Sequence, residues 1–279
     1  MDEAKIIMSG ILKFLYNTVP GRVVLKALVS PTISKIGGAY MDSKMSKMHI
    51  KNFIKKNAID MSQYEKAEYS CFNEFFTRKI LEEKRPIATE KNVLISPCDG
   101  RLSAYHISED SDFYIKKSHY RIGDILKDSL KSPDYNGGIC LVFRLCVDDY
   151  HRYIHIDDGE IIENKAIKGI LHTVRPIAVN QCPVFVQNSR EYSIIETENF
   201  GTIAQIEVGA LMIGKIKNHQ KAGEIKKGTE KGMFLYGGST IVILLQKGIV
   251  DIPESYFDAT SQDIETKVTC GSEIGKLLK

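Results

Sequence analysis

The chain has 279 residues, 43% hydrophobic and 26% charged, a composition typical of a globular protein with a sizeable core. Its 38 Lys and Arg residues against 35 Asp and Glu residues leave a net charge of +3, too small to indicate a nucleic-acid-binding protein. No apolar run reaches the roughly 18 residues of a membrane-spanning helix, and the opening Met1-Asp2-Glu3 is unlike a signal peptide. Any membrane contact is therefore expected to be peripheral.

Six cysteines are scattered along the chain without a CxxC pair or other zinc-like spacing. They are Cys71, Cys98, Cys140, Cys146, Cys182 and Cys270. This pattern indicates reduced thiols in a cytosolic setting, with no metal site.

The first residues predict amphipathic helices. Residues 4–19 carry apolar side chains at helical spacing, and Pro20-Gly21 interrupts the pattern. Residues 41–56 then combine methionines with lysines. The lysines are Lys44, Lys47, Lys51, Lys55 and Lys56. Such a region suits an anionic membrane surface, and it also suits a helical layer packed on the protein's own core.

The pattern changes from helical to strand-like after residue 90. Residues 62–84 are predicted to be helical, with Phe72, Phe75 and Phe76 as anchors. Short strands are predicted at 93–96, 101–108, 139–147, 161–168, 192–197, 202–208 and 241–245. The fold class predicted is α+β: residues 1–85 form a helical membrane-associating region, and residues 86–279 form a catalytic core of mainly antiparallel strands.

A corner of small residues, Gly237-Gly238-Ser239-Thr240, opens the apolar run at 241–245. One interpretation is a plain glycine turn that leads into a core strand. The other is a self-processing serine, because the Ser239 hydroxyl lies beside a Gly238 carbonyl that no side chain covers. Ile241 stands where a nucleophile elbow requires glycine, which excludes that motif.

Three further residues are candidates for chemistry. Asp99 lies in a Pro-X-Asp-Gly turn, where a structural role is common. His151 and His155 have the same parity, so an unbroken strand would present both on one face. One of them could be a general base oriented by a buried carboxylate, which fits better than a pair of metal ligands. A lysine-rich segment precedes Ser239 and is expected to be solvated or to meet phosphate headgroups. Its lysines are Lys215, Lys217, Lys221, Lys226, Lys227 and Lys231.

Six motifs in order resemble the phosphatidylserine decarboxylase proenzymes in their shorter bacterial form, from about residue 70 onward. They are Phe72-Asn73-Glu74-Phe75-Phe76-Thr77-Arg78 with Arg85-Pro86-Ile87 after it, Ser96-Pro97-Cys98-Asp99-Gly100, Asp149-Tyr150-His151-Arg152, Asn188-Ser189-Arg190-Glu191, Gly237-Gly238-Ser239-Thr240 and Gly271-Ser272-Glu273-Ile274-Gly275. The resemblance implies that Asp99, a histidine and Ser239 form a charge relay. It also implies a cut between Gly238 and Ser239 that yields a large chain (1–238) and a small chain (239–279).

The family usually places its second histidine three residues after the first and uses it in the relay. Ile154 occupies that place here, and His155 follows it. We expect His155 to be the relay base and His151 to assist, with the reverse assignment left open.

The resemblance also implies the cofactor and the partners. Ser239 becomes a covalent pyruvoyl group, which forms an imine with the substrate amine and takes up electrons as carbon dioxide leaves, so no pyridoxal phosphate is required. The expected partners are phosphatidylserine in the membrane and the two chains of one precursor, with a homodimer as one option. The expected location is the cytoplasmic face of the cell membrane.

Two other functions fit part of the pattern. A pyruvoyl decarboxylase of a soluble amino acid would not need the amphipathic N-terminus. A non-catalytic β-domain tethered at a membrane would leave Asp99, the histidines and Ser239 without a common purpose.

Overall fold

The computed structural model describes residues 3–115, 118–127, 129–210, 215–237 and 239–278, with the side chains of 3–9 and Pro31 left out. The described helices are α1 Glu3–Asn17, α2 Val19–Leu28, α3 Pro31–Met41, α4 Ile50–Asn57, α5 Phe72–Phe76, α6 Ile122–Leu126, α7 Pro176–Val179, α8 Val184–Gln187 and α9 Glu254–Ser261. Short 3-10 turns span Lys44–His49, Met61–Gln63 and Glu82–Lys84.

The helix predicted over 4–19 is found as α1, which ends at Asn17. Thr18 then caps a second helix, α2, so Pro20-Gly21 lies at the start of a helix and not in a break. The Thr18 hydroxyl accepts the Gly21 N–H at 3.0 Å. A Cβ on Gly21 would lie 2.0 Å from the Phe14 carbonyl oxygen, so only glycine allows this close approach of α2 to α1. Leu12 and Leu15 pack into the core, whereas Ile11 and Phe14 on the same helix are about half exposed. The helical region therefore packs on the core and also presents apolar side chains to solvent.

The predicted long helix over 62–84 is wrong. Only α5 and two 3-10 turns are helical there, and residues 64 and 80 form an isolated antiparallel bridge. The aromatic spacing at 72, 75 and 76 does form one helical turn. The flanking backbone instead pairs with itself, since the Glu65 N–H donates to the Lys79 carbonyl and the Leu81 N–H donates to the Gln63 carbonyl.

The described strands fall into four sheets. They are β1 Val93–Ile95, β2 Gly100–His106, β3 Asp112–Ile115, β4 Ser118–Arg121, β5 Ile139–Leu145, β6 Arg152–Ile154, β7 Gly159–Ile167, β8 Arg190–Thr197, β9 Thr202–Gly209, β10 Ile216–Asn218, β11 Gly223–Ile225, β12 Glu230–Phe234, β13 Ser239–Leu245, β14 Val250–Asp251, β15 Thr266–Val268 and β16 Glu273–Leu277. All strand pairs within these sheets are antiparallel. The predicted α+β class, with N-terminal helices and a core of mainly antiparallel strands, is confirmed.

The large sheet has eight strands in the order β11-β7-β8-β9-β13-β5-β2-β15, so β13 lies between β9 and β5 near the middle. All seven residues of β13 are buried. Val242 and Leu244 face a core shared with α1 and α2, whereas Ile241 and Ile243 face a second core on the opposite side of the sheet. A strand covered on both faces reads as a continuous apolar run, which is why the sequence predicted it so clearly.

Among the helices that the structure describes, none combines the length and apolar character needed to cross a bilayer. The division at residue 85 stays a prediction.

Candidate active site

Ser239 is the first residue of β13 and is fully buried. It pairs with Leu145 of β5 on one side and Gly209 of β9 on the other. Strand alternation places its side chain on the face of Ile241. Gly237 has φ +142°, a backbone conformation that favours glycine at this corner. Gly238, the residue predicted to precede the cut, lies outside the described residues.

His151 meets the Ser239 hydroxyl: the Ser239 Oγ lies 3.3 Å from the His151 Nδ1. On the other side of the ring, Nε2 lies 2.8 Å from the Cys146 carbonyl oxygen. A carbonyl oxygen can only accept, so Nε2 must carry the proton. In the neutral imidazole Nδ1 is then unprotonated and accepts the Ser239 O–H. This is the arrangement that a general base for a serine nucleophile requires.

A tight turn between β5 and β6 positions the Cys146 carbonyl. The Asp149 carboxylate accepts the Cys146 N–H at 2.7 Å, and the Asp149 N–H donates to the Cys146 carbonyl at 3.0 Å. Arg101 lies 3.3 Å from the same carboxylate. Burial raises the pKa of Asp149. Asp149 lies in the motif Asp149-Tyr150-His151-Arg152, but the motif predicts no role for it. Its partner is the backbone of its own turn, which no sequence pattern indicates.

The two histidines have different surroundings. Burial lowers the pKa of His151 to about 3, so its imidazole is neutral near neutral pH. Burial, then the nearby positive charge of Lys231, lowers the pKa of His155 to about 3 as well. Within the described part of the chain, the His155 Nδ1 has no hydrogen-bond partner. His151 precedes β6 and His155 follows it, so the unbroken strand that would put both on one face is not present.

Asp99 is held by an arginine. The Arg85 guanidinium binds both carboxylate oxygens, at 2.7 and 2.5 Å, and the Cys270 N–H donates to Oδ1 at 2.8 Å. This is a bidentate charge-assisted pair.

Asp99 immediately precedes β2, whose start lies at the same end of the sheet as Ser239. Two strand spacings separate β2 from β13, which corresponds to about 10 Å. The structure thus brings Ser239 and His151 into contact and places Asp99 at the same end of the sheet, bound to Arg85. Among the residues described, no group of three or more His, Cys, Asp or Glu side chains could hold a metal ion.

A buried ion pair lies on the same sheet face as Ser239. The Lys231 Nζ lies 2.9 and 3.0 Å from the two carboxylate oxygens of Glu207, and both side chains are fully buried. Asn218 bridges the pair, accepting from Lys231 at 3.2 Å and donating to Glu207 at 3.2 Å. The expectation that Lys231 is solvated or meets phosphate is wrong, because it neutralises Glu207. No local sequence pattern predicts that Lys231 pairs with Glu207, which lies 24 residues away.

Asn188, from the fourth motif of the resemblance, supports the strand beside Ser239. Its amide group donates to the Gly209 carbonyl at 2.7 Å and to the His172 carbonyl at 2.8 Å. Its Oδ1 accepts the His172 N–H at 2.9 Å. Because Gly209 pairs with Ser239, Asn188 fixes the backbone against which the serine lies.

Comparison with known proteins assigns the family. The family model for phosphatidylserine decarboxylase matches residues 72–276. The chain is 49% identical to phosphatidylserine decarboxylase proenzyme 2 of Clostridium acetobutylicum over 269 residues, covering 96% of this chain and 92% of the relative. It is 41% identical to the phosphatidylserine decarboxylase proenzyme of Ruminiclostridium cellulolyticum over 283 residues, covering 99% and 94%. A Clostridium botulinum proenzyme is 39% identical over 280 residues, covering 98% and 95%.

A buried serine–histidine pair at the mouth of a central strand is suited to acyl chemistry on the serine. The chain belongs to the phosphatidylserine decarboxylase family.

The neutral, buried histidines predict a pH-dependent stability. Their folded pKa values lie below the ordinary 6.5, so the unfolded chain binds protons that the folded chain does not. The stability that each contributes is present above about pH 6.5 and is lost as the pH falls toward about 3. Between pH 7 and pH 5, each histidine should remove about 2 kcal/mol from the free energy of unfolding.

Urea unfolding of the Ser239→Ala chain at pH 7 and pH 5 measures this loss. His151→Gln and His155→Gln in the same background should each reduce the loss, and the double variant should reduce it most. An identical loss in all four chains would contradict the burial of neutral imidazoles.

Proposed function

We propose that this chain is a phosphatidylserine decarboxylase made as a proenzyme, which cuts itself between Gly238 and Ser239. The observation that carries this proposal is the 3.3 Å contact between the Ser239 hydroxyl and the His151 Nδ1 in a fully buried site. The family assignment supports the reaction, and the printed names of the relatives describe proenzymes.

The self-cleavage proposed uses groups of this chain and one molecule of water. His151 Nδ1 accepts the Ser239 hydroxyl proton as Oγ bonds to the Gly238 carbonyl carbon. The peptide C–N bond then breaks, and His151 returns the proton to the Ser239 nitrogen, leaving Gly238 esterified to Oγ. Loss of the Ser239 α-proton and of the Gly238 carboxylate leaves a carbon–carbon double bond. Water replaces the nitrogen, releasing ammonia and leaving a pyruvoyl group on the small chain.

We assign the base to His151 and a supporting role to Asp99. His151 is the histidine in contact with the nucleophile, and its Nε2 is fixed by the Cys146 carbonyl. Asp99 takes no direct part in that orientation, because its oxygens bind Arg85 and the Cys270 backbone. Its proposed contribution is to hold the start of β2 at the end of the sheet where Ser239 lies. In the part of the chain that the structure describes, the His155 Nδ1 has no hydrogen-bond partner, so this observation does not extend to His155 as the base.

The site suits a pyruvoyl group. When present, this group supplies an electrophilic carbonyl that accepts the electron pair left behind by departing carbon dioxide. Strand β13 is paired along its length with both β5 and β9, so the small chain stays in the sheet after a cut before Ser239. Because Ser239 is fully buried, the group formed there would lie beneath the protein surface.

The N-terminal helices are proposed to dock on the cytoplasmic face of the cell membrane, where the lipid substrate lies. Ten of the fourteen large apolar side chains that are exposed in the described part of the chain precede residue 50. They are Ile11, Phe14, Val19, Val23, Val24, Ile33, Ile36, Tyr40, Met45 and Met48. The lysines at 44, 47, 51, 55 and 56 are exposed beside them. Apolar side chains with neighbouring cations suit an anionic lipid surface.

Cleavage kinetics of single variants test the base. His151→Ala should slow self-cleavage by about 10²–10⁴-fold, the usual contribution of a positioned general base. His155→Ala should stay within about tenfold of wild type, because the His155 Nδ1 has no hydrogen-bond partner among the described residues. The loss of full-length chain is followed over time by gel or intact mass. A faster cut in His151→Ala than in His155→Ala would contradict the assignment.

Vesicle binding tests the docking surface. Val23→Glu and Met48→Glu in the full chain should weaken binding to vesicles that contain phosphatidylserine, since each side chain is at least 70% exposed. Leu130→Glu is the control, because Leu130 is 99% exposed and lies outside the helical region. Binding should also weaken as salt screens the lysines. Equal binding by all three variants and wild type would refute the surface.

Substrate choice separates the lipid from a soluble amino acid. The cleaved protein is given phosphatidylserine in detergent micelles and, separately, free serine, and released carbon dioxide is measured. Turnover should be confined to the lipid, because binding energy from the phosphodiester and acyl chains positions the reacting head. Comparable efficiency on free serine would favour a soluble-substrate decarboxylase. No carbon dioxide from either would favour a membrane-tethered, non-catalytic β-domain.

A further inference from the structure

We propose that Asn73 is a positioning residue for self-cleavage, holding the backbone on the amino-terminal side of the Gly238–Ser239 bond. The inference rests on the proposed function and adds a residue to it. Asn73 is the second residue of α5 and is 3% exposed. Asn73 is far from Ser239 in the sequence and has no titratable group, so neither its place in the sequence nor a charge points to this role.

Both ends of the Asn73 carboxamide are used. Its Oδ1 accepts the Tyr236 N–H at 2.9 Å, and its Nδ2 donates to the Asp42 carboxylate at 2.7 Å. A backbone N–H can only donate and a carboxylate can only accept, so these two partners dictate which way the amide faces. The result is a continuous link from Asp42, the C-cap of α3, to a residue two positions before Gly238.

The segment that leads to the cut is held by three successive N–H groups. The Phe234 N–H donates to the His151 carbonyl at 2.9 Å, and the Leu235 N–H donates to the Lys215 carbonyl at 3.0 Å. Tyr236 is the third donor, and its acceptor is the Asn73 side chain. Asn73 is therefore the last of these anchors before Gly237.

Helix α5 also packs against the general base. The Phe76 ring centroid lies 4.2 Å from that of His151, and the Tyr236 ring packs edge-on against Phe72 and Phe76 at 4.9 and 5.2 Å. One short helix thus contacts both the base and the residue that Asn73 anchors. A shift of Tyr236 relative to α5 would change the approach of the scissile peptide to the Ser239–His151 pair.

The chemistry explains why an anchor is needed here. On its carboxyl side, Ser239 is fixed by pairing with β5 and β9. On its amino side, two glycines separate it from Tyr236, and glycine is the most mobile residue in the backbone. Attack requires Oγ and the carbonyl carbon to be held at about 3–3.5 Å in the correct orientation. Fixing Tyr236 leaves two residues between this anchored segment and Ser239.

Self-cleavage and turnover should respond differently to loss of this anchor. Before the cut, Asn73 restrains a continuous chain whose carbonyl must face Ser239. After the cut, residues 236–238 become the free end of the large chain, while β13 remains in its sheet. Loss of Asn73 should therefore slow self-cleavage more than it slows decarboxylation by the matured protein.

The test follows the cleavage of full-length chains made by cell-free translation. Asn73→Ala should cleave about 10–100-fold more slowly than wild type. Asn57→Ala is the matched control: it removes another asparagine amide that hydrogen-bonds in the helical region, and the partner of that amide is the Phe53 carbonyl. It should stay within about threefold of wild type.

A swap of the two partners isolates the hydrogen-bonded link. Asn73→Asp keeps an acceptor for Tyr236 but faces the Asp42 carboxylate, so it should be slow. Adding Asp42→Asn restores a donor opposite the new carboxylate, and the double variant should recover to within about threefold of wild type. Carbon dioxide release per small chain, measured on the matured fraction of Asn73→Ala, should stay within about threefold of wild type.

Wild-type cleavage by Asn73→Ala would overturn the inference and leave the proposed function intact. A folded double variant that cleaves no faster than Asn73→Asp would also overturn it, and this comparison decides the matter if Asn73→Ala does not fold. A wild-type chain that never cleaves would overturn the proposed function itself.

Discussion

The site depends on a single backbone acceptor, the Cys146 carbonyl. Its hydrogen bond to the His151 Nε2 fixes which ring nitrogen is protonated, so that the unprotonated Nδ1 faces the Ser239 hydroxyl as an acceptor. The Asp149 carboxylate holds the Cys146 peptide in place from within the same turn. A carbonyl group can orient the imidazole without placing a charged group against it in the core. A six-residue loop between β5 and β6, residues 146–151, therefore orients the proposed base.

The eight-stranded sheet makes this arrangement rigid. Ser239 begins a strand that is buried on both faces and paired on both sides, so its position does not depend on its own short side chain. Asn188 steadies the neighbouring strand through Gly209, and Asn73 holds the segment before the glycine corner. Two buried amides thus hold the strand beside the serine and the segment that precedes it. After the cut proposed, the small chain would stay in the sheet, because β13 keeps its partners.

The sequence predicted the parts of the fold that depend on local pattern. The strands predicted at 139–147 and 241–245 are central strands of the sheet, with bounds Ile139–Leu145 and Ser239–Leu245. The apolar stripe near the N-terminus is helical. The helix predicted over 62–84 failed because the phenylalanines at 72, 75 and 76 pack into an aromatic cluster with Phe53 and Tyr236, while the flanking chain pairs as extended backbone. Lys231 was misplaced because its partner Glu207 lies on another strand. The parity argument for the histidines required an unbroken strand, and β6 is only three residues long.

The mass of the small chain tests the central claim most directly. A cut between Gly238 and Ser239 followed by loss of nitrogen gives a fragment of 279 − 239 + 1 = 41 residues, lighter by one ammonia than the same peptide with an amino-terminal serine. Intact-mass analysis of the purified protein should find this fragment, and amino-terminal sequencing should find it blocked. A full-length chain after prolonged incubation, or a fragment that starts with free serine, would contradict the account.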